Sequence, residues 1–169
     1  MKLTLYILTL AAGLLFLSSC EKKDVLKGVD ELAHHYYVLF VPNNNTGITV
    51  TRSQTALVKL PIQFYSTYTR DYDAVCKYAV TVYGQTAPAV RGVDYDVVDK
   101  NGVTIPSADS SYSIIFPKAI QAKDTIYLKM LNNPATGVRK FEVQLLDNIT
   151  PQFDVDIFST AFRRPIQIN

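Results

Sequence analysis

Five separate stretches of this 169-residue chain place apolar side chains at every second position. That period restricts the fold more than any other feature. Tyr36, Val38 and Phe40 alternate with Tyr37, Leu39 and Val41, and Val58, Leu60, Ile62 and Phe64 with Lys59, Pro61, Gln63 and Tyr65. Cys76, Tyr78, Val80 and Val82 share one face, as do Ile126, Leu128 and Met130, and Phe141, Val143 and Leu145. Successive side chains of a strand point to opposite faces, so each stretch reads as a strand with one face in a core. Tyr112-Ser113-Ile114-Ile115-Phe116 is a further strand and Arg164-Pro165-Ile166-Gln167-Ile168 a closing one. No helical period of useful length runs through this part of the chain.

The punctuation agrees. Asn101-Gly102, set between Val97-Val98 and Val103-Thr104-Ile105, suits a type I′ hairpin, in which both central residues take positive φ. Asn43-Asn44-Asn45-Thr46-Gly47, Gly84, Asn132-Asn133-Pro134 and Asn148-Ile149-Thr150-Pro151 mark other turns. Pro61 and Pro165 have no N–H for a ladder, which predicts a sheet edge or a bulge at each. The expectation is an all-β, antiparallel two-sheet sandwich of seven to nine short strands over residues 34–169, Ig-like in arrangement. Its core is predicted to hold Val58, Leu60, Ile62, Phe64, Tyr78, Val80, Val82, Ile126, Leu128, Phe141, Val143 and Leu145.

The amino terminus is of another kind. Lys2 precedes a fifteen-residue apolar run, Leu3 to Leu17, that stops at Leu17-Ser18-Ser19-Cys20. A membrane span takes about 20 such residues, so the run is short for one. A charged start, an apolar middle and small residues before a cut make an export signal. The stretch resembles the lipobox of a bacterial lipoprotein. That resemblance implies a signal peptide over 1–19, lipid on Cys20, and a protein held at the outer membrane, facing the periplasm or the cell surface. Several fatty chains on one residue anchor durably where a single chain binds only marginally. Residues 20–33 read as a tether whose charges, Glu21-Lys22-Lys23-Asp24, either solvate a linker or resemble the export tags of Bacteroidetes-type surface lipoproteins.

Removing 1–19 leaves 16 Lys+Arg against 15 Asp+Glu, so nothing suggests a phosphate-tracking surface and nucleic acid is excluded as a partner. With Cys20 committed to lipid, Cys76 has no partner for a disulfide. On the apolar face of its strand it reads as a small buried hydrophobe.

Gly92-Val93-Asp94-Tyr95, then Thr104-Ile105-Pro106, Asp124-Thr125-Ile126-Tyr127-Leu128 and Phe141-Glu142-Val143-Gln144-Leu145 resemble, in that order, the Calx-beta sandwich domain. Behind a lipobox, the same order resembles a Bacteroidetes-type outer-membrane lipoprotein family often encoded near glycan-uptake systems. The resemblance covers about residues 56–147. Calx-beta domains of exchangers bind calcium through loop carboxylates, which would here be Asp71, Asp73, Asp94, Asp96 and Asp99. The acidic run of the calcium-binding members is missing, Arg70 sits inside the richest cluster, and calcium takes 6–8 oxygens. No metal or other cofactor is therefore expected. Asp124-Thr125-Ile126 resembles the O-glycosylation acceptor of Bacteroidetes-type secreted proteins.

No catalytic constellation is present: no phosphate loop, no Gly-x-Ser-x-Gly, no His-Glu-x-x-His. His34 and His35 are neighbours on a strand start and point to opposite faces. The expectation is a non-enzyme. Tyrosine, with a flat apolar face and a polar tip, suits sugar rings and protein surfaces alike. Of eleven tyrosines, Tyr65, Tyr68 and Tyr72 gather around Arg70 and form the candidate ligand site. The reading is a membrane-anchored surface binding or accessory protein, its partner a glycan, with an envelope protein in a structural or adhesive role as the alternative.

Overall fold

The computed structural model describes residues 30–169, so the signal peptide, Cys20 and the first part of the tether lie outside the described residues. Among the described residues there is no α-helix. A 3-10 turn, Asp30–Ala33, leads into eleven strands: β1 His35–Phe40, β2 Ile48–Val50, β3 Val58–Tyr65, β4 Ala74–Thr81, β5 Tyr95–Val98, β6 Ser111–Phe116, β7 Ala122–Met130, β8 Arg139–Leu146, β9 Asn148–Ile149, β10 Asp154–Ile157 and β11 Arg163–Ile168. They form a six-stranded sheet in the order β5-β7-β3-β1-β10-β9 and a five-stranded sheet in the order β2-β11-β8-β4-β6.

The chain is the expected sandwich, with mixed rather than purely antiparallel sheets. Pairing is antiparallel except where β1 meets β10 and β2 meets β11. Inner-face side chains of both sheets make one core. Phe64 of β3 stacks on Phe116 of β6 with centroids 4.6 Å apart, and Tyr95 of β5 on Phe141 of β8 at 4.0 Å. Most of the predicted core is buried, from Val58 on β3 to Leu145 on β8. Val82 is a correction: β4 ends at Thr81, and Val82 is 40% exposed. Val80, one step earlier, is only partly buried.

The prolines lie on inner strands at points where a neighbour is missing. Val41 donates to the Pro61 carbonyl at 2.8 Å, but β1 has ended at Phe40, so the absent Pro61 N–H breaks only the last step of that ladder. Pro165 lies opposite Glu142 of β8, and β2 begins one step later, at Ile48 beside Ile166. Gly47 occupies the gap, and a Cβ there would come within 3.2 Å of the Pro165 carbonyl oxygen. The Asn101-Gly102 turn also needs correcting. Only Gly102 takes positive φ, +82°, and its N–H closes on the Asp99 carbonyl at 3.0 Å. Type I′ requires both central residues at positive φ, and Asn101 is not there. The Asp99 carboxylate accepts from the N–H groups of Asn101 and Val103 and stabilises this longer turn instead.

Candidate functional site

The segment joining β3 to β4 carries the predicted ligand residues, and the structure divides them. Tyr65 ends β3 directly opposite Tyr37 of β1, on the outer face of the six-stranded sheet. It is 44% exposed, and Tyr68, three residues on, is 45% exposed. The Arg70 guanidinium lies 5.4 Å from the centre of the Tyr68 ring. Arg70 is also held in place: its N–H donates to the Lys118 carbonyl at 2.8 Å and its Nε to the Tyr36 hydroxyl at 3.2 Å.

Tyr72 turns inward. Its ring stacks between His34, at 5.5 Å, and Phe153, at 5.7 Å. Its hydroxyl bonds the Tyr36 hydroxyl at 2.7 Å and shares a 2.5 Å hydrogen bond with His34 Nδ1. Burial, with the Tyr36 bond added, raises the Tyr72 hydroxyl above the ordinary phenol range. Arg70, Tyr36, Tyr72 and His34 thus form one hydrogen-bonded chain that closes this end of the sandwich. Tyr72 anchors the loop, while Tyr65 and Tyr68 stand at its surface.

Aromatic side chains that the sequence reading did not single out extend this surface. Tyr37 stacks on His35 at 5.2 Å and meets Phe158, 40% exposed, at 5.3 Å. The His35 ring is tied to the Asp156 carboxylate on β10. Alternation along β1 places His35 and Tyr37 together on the outer face, but Phe158 arrives directly after β10, a strand paired in parallel with β1 and distant in sequence. The strip has flat apolar faces edged by a hydrogen-bonded imidazole and carboxylate, the chemistry that stacks on a sugar ring and bonds its hydroxyls.

The carboxylates considered for calcium are engaged elsewhere. Buried Asp94 accepts from the Val90 N–H at 2.7 Å and from Asn133 Nδ2 at 2.8 Å. Asp96 accepts from Arg91 Nε at 3.0 Å and the Thr104 hydroxyl at 2.7 Å. Asp73 accepts from the Lys118 N–H at 2.9 Å. Among the described residues no three acidic, histidine or cysteine side chains gather in a metal-holding group. Cys76 is buried, and burial alone raises its thiol far above the usual cysteine range. Thr125 sits within β7, half-buried, its N–H bonded to the Asp124 carboxylate at 2.6 Å.

No known family profile matches the chain, and no curated protein proved similar to it. Solved structures superpose on it to different degrees. The apo form of the Calx CBD1 domain superposes with a TM-score of 0.50 at 13% identity, over 79% of this chain and 97% of that one. The CBD12 structure from CALX1.2 gives 0.47 at 12% identity, over 78% of this chain and 44% of that one. A cohesin–dockerin complex from Clostridium thermocellum gives 0.37 at 6% identity, over 80% of this chain and 99% of that one. The superposition on the Calx CBD1 domain shows the Calx-beta-like fold expected from the motif order.

Proposed function

We propose that this protein is a non-enzymatic, lipid-anchored binding module of the outer membrane, and that the tyrosine-rich rim of its six-stranded sheet contacts glycan in the service of glycan uptake. The observation that carries the reading is the surface made by Tyr65, Tyr68, Tyr37 and Phe158, four aromatic side chains at one end of the sandwich, with Arg70 and the His35–Asp156 pair beside them. Support for the anchor comes from the apolar run ending in Leu17-Ser18-Ser19-Cys20. Stacking on tyrosine faces tolerates many sugars, and the flanking charged groups supply the hydrogen bonds that select among them.

Two experiments separate the parts of this reading. Intact mass and membrane fractionation of the wild type and Cys20→Ala test the anchor. The expected result is a lipid adduct on Cys20 and release of the variant from the membrane; an unmodified Cys20 removes the anchor. A glycan panel tests the rim, with loss of binding expected in Tyr65→Ala and Tyr68→Ala. Unchanged binding in both variants would reject the rim as the site, and no binding by the wild type would reject the glycan. In that case an envelope protein recovered by cross-linking on cells would favour the structural role.

A further inference from the structure

The five-stranded sheet ends on β6, and the ladder shows which of its backbone groups are open. Residues of an antiparallel strand bond alternately to one neighbour and the other. Leu145 donates to the Phe162 carbonyl at 2.7 Å, so Phe141, Val143 and Leu145 of β8 bond toward β11, and Glu142, Gln144 and Leu146 toward β4. Lys77 and Ala79 of β4 thereby bond to β8, which leaves Ala74, Cys76 and Tyr78 to bond β6 at Phe116, Ile114 and Tyr112. Ser111, Ser113 and Ile115 turn their N–H and C=O groups off the edge. Ser111 is already closed, in both directions, on Ala108 at 2.8 and 2.9 Å. Pro117, the next position of this set, has no N–H. Among the described residues, no backbone hydrogen bond closes Ser113 or Ile115.

An open edge of this kind templates pairing with another strand, and proteins guard against it with charge, proline or a covering segment. The other edges here are guarded. The outer side of β5 is covered by residues 103–105, where Ile105 donates to the Val97 carbonyl at 2.9 Å. The half of β7 that extends past β5 carries Lys123 and Asp124, and Asp124 caps the Thr125 N–H. β9 has two residues and β2 three. β6, Ser111–Phe116, has six residues with no charge and no proline, and its Ile115 is 58% exposed. Beside it lies a groove of about 460 Å³ floored in part by Ile105, Ile114 and Ile126.

We infer that β6 is a self-association edge: two copies of this chain pair antiparallel through it, about a two-fold axis at Ile114. In that register Ser113 of each copy exchanges both hydrogen bonds with Ile115 of the other, and Ile114 faces Ile114 in the pair without hydrogen bonds. Every open group on the edge is used. One step further out, Ser111 meets Pro117 of the other copy, a closed residue against one that cannot donate, so the ladder stops at both ends together. A two-fold interface requires one patch to complement itself, and an uncharged segment meets its own copy with no like-charge repulsion. The inference is independent of the glycan reading, because β6 belongs to the opposite sheet from Tyr65.

Native mass spectrometry of the full chain in detergent reads the association directly, with a species of twice the monomer mass expected. Ser113→Lys combined with Ile115→Lys sets lysine opposite lysine at exposed positions, and that species is expected to disappear while circular dichroism is unchanged. Oxidative cross-linking gives a second readout that needs no charge. Residues facing each other in a pair without hydrogen bonds have Cα atoms about 4.5 Å apart, within disulfide reach. Ile114→Cys should therefore form a dimer band well above the background of the unsubstituted chain. Ser113→Cys, displaced from its own copy by two register steps, should not. A monomer across the whole concentration series overturns the inference. So does a dimer that survives the lysine pair, or equal cross-linking at 113 and 114. Should the lysine variant unfold, the cross-linking comparison decides.

Discussion

The rings of Tyr95 and Phe141 lie 4.0 Å apart, centroid to centroid, and within 2° of parallel. Tyr95 belongs to β5, an edge strand of one sheet, and Phe141 to β8, the central strand of the other. The pair therefore fastens an edge of the sandwich to its middle. Aromatic pairs contribute about 0.5–1.5 kcal/mol beyond the area they bury. A double-mutant cycle with Tyr95→Leu and Phe141→Leu should show coupling of that size in denaturant unfolding, with each single change destabilising. Additive effects would mean that the rings are neighbours without mutual stabilisation.

Arg164 performs a similar task for a loop. It is buried on β11, its guanidinium 5.0 Å from the centre of the Phe40 ring. It donates to Asn44 Oδ1 at 2.7 Å, the Thr46 carbonyl at 2.9 Å and the Pro42 carbonyl at 3.0 Å. One cation thus gathers the β1–β2 connection onto both sheets. Arg164→Met keeps most of the volume but strands these acceptors, and hydrogen bonds to a charged group contribute about 1.5–3 kcal/mol each. Loss of at least about 2 kcal/mol on urea unfolding is expected, with faster hydrogen exchange through residues 42–47.

How much of this was legible beforehand depended on whether the signal was local. Alternation identified the buried face of β3, because Leu60, Ile62 and Phe64 meet the core wherever the strand's neighbours lie. The same rule failed at Val82 because apolar alternation continued in the sequence past the point where β4 leaves its ladder. Register could not be read at all: the pairing of β1 with β10 joins His35 to Asp154 across more than a hundred residues, and a parallel neighbour has the same period as an antiparallel one. The tyrosine cluster was legible as composition but not as direction. Tyr68 and Tyr72 share a residue type and a loop, yet Tyr72 is drawn inward by Tyr36 on β1 and by His34 just before it, partners far back in the chain.

Cys76 offers a clean measurement because burial is the whole cause of its raised thiol. The thiolate is the reactive form, and a thiol kept protonated and out of reach does not react. A thiol-specific reagent should leave Cys76 unlabelled in the native protein at neutral pH and label it fully in denaturant. The labelling rate in intermediate denaturant should follow global unfolding. Rapid native labelling would require β4 to open locally.

The last prediction concerns acid. Arg91 links β5 to the segment that covers it, donating through Nε to Asp96 at 3.0 Å and through a terminal nitrogen to the Ile105 carbonyl at 2.8 Å. Burial pushes the Asp96 carboxyl upward, but the hydrogen bonds from Thr104, Arg91 and the Val97 N–H outweigh it and hold the group below the ordinary aspartate value. A carboxyl lowered by folding binds fewer protons in the native state than in the unfolded one, so stability rises with pH wherever the two differ. The contribution of Asp96 is complete above its unfolded value of about 3.9 and is lost as pH falls from there through the folded value. Asp96→Asn removes that titration while keeping the shape. Below about pH 4 the wild type should lose stability more steeply than the variant, and the gap between them at neutral pH should narrow. Parallel curves through that range would mean that the Arg91–Asp96 pair does not stabilise the fold. The first structure to loosen in acid should be residues 95–105, followed by the amide signals of Val97 and Ile105.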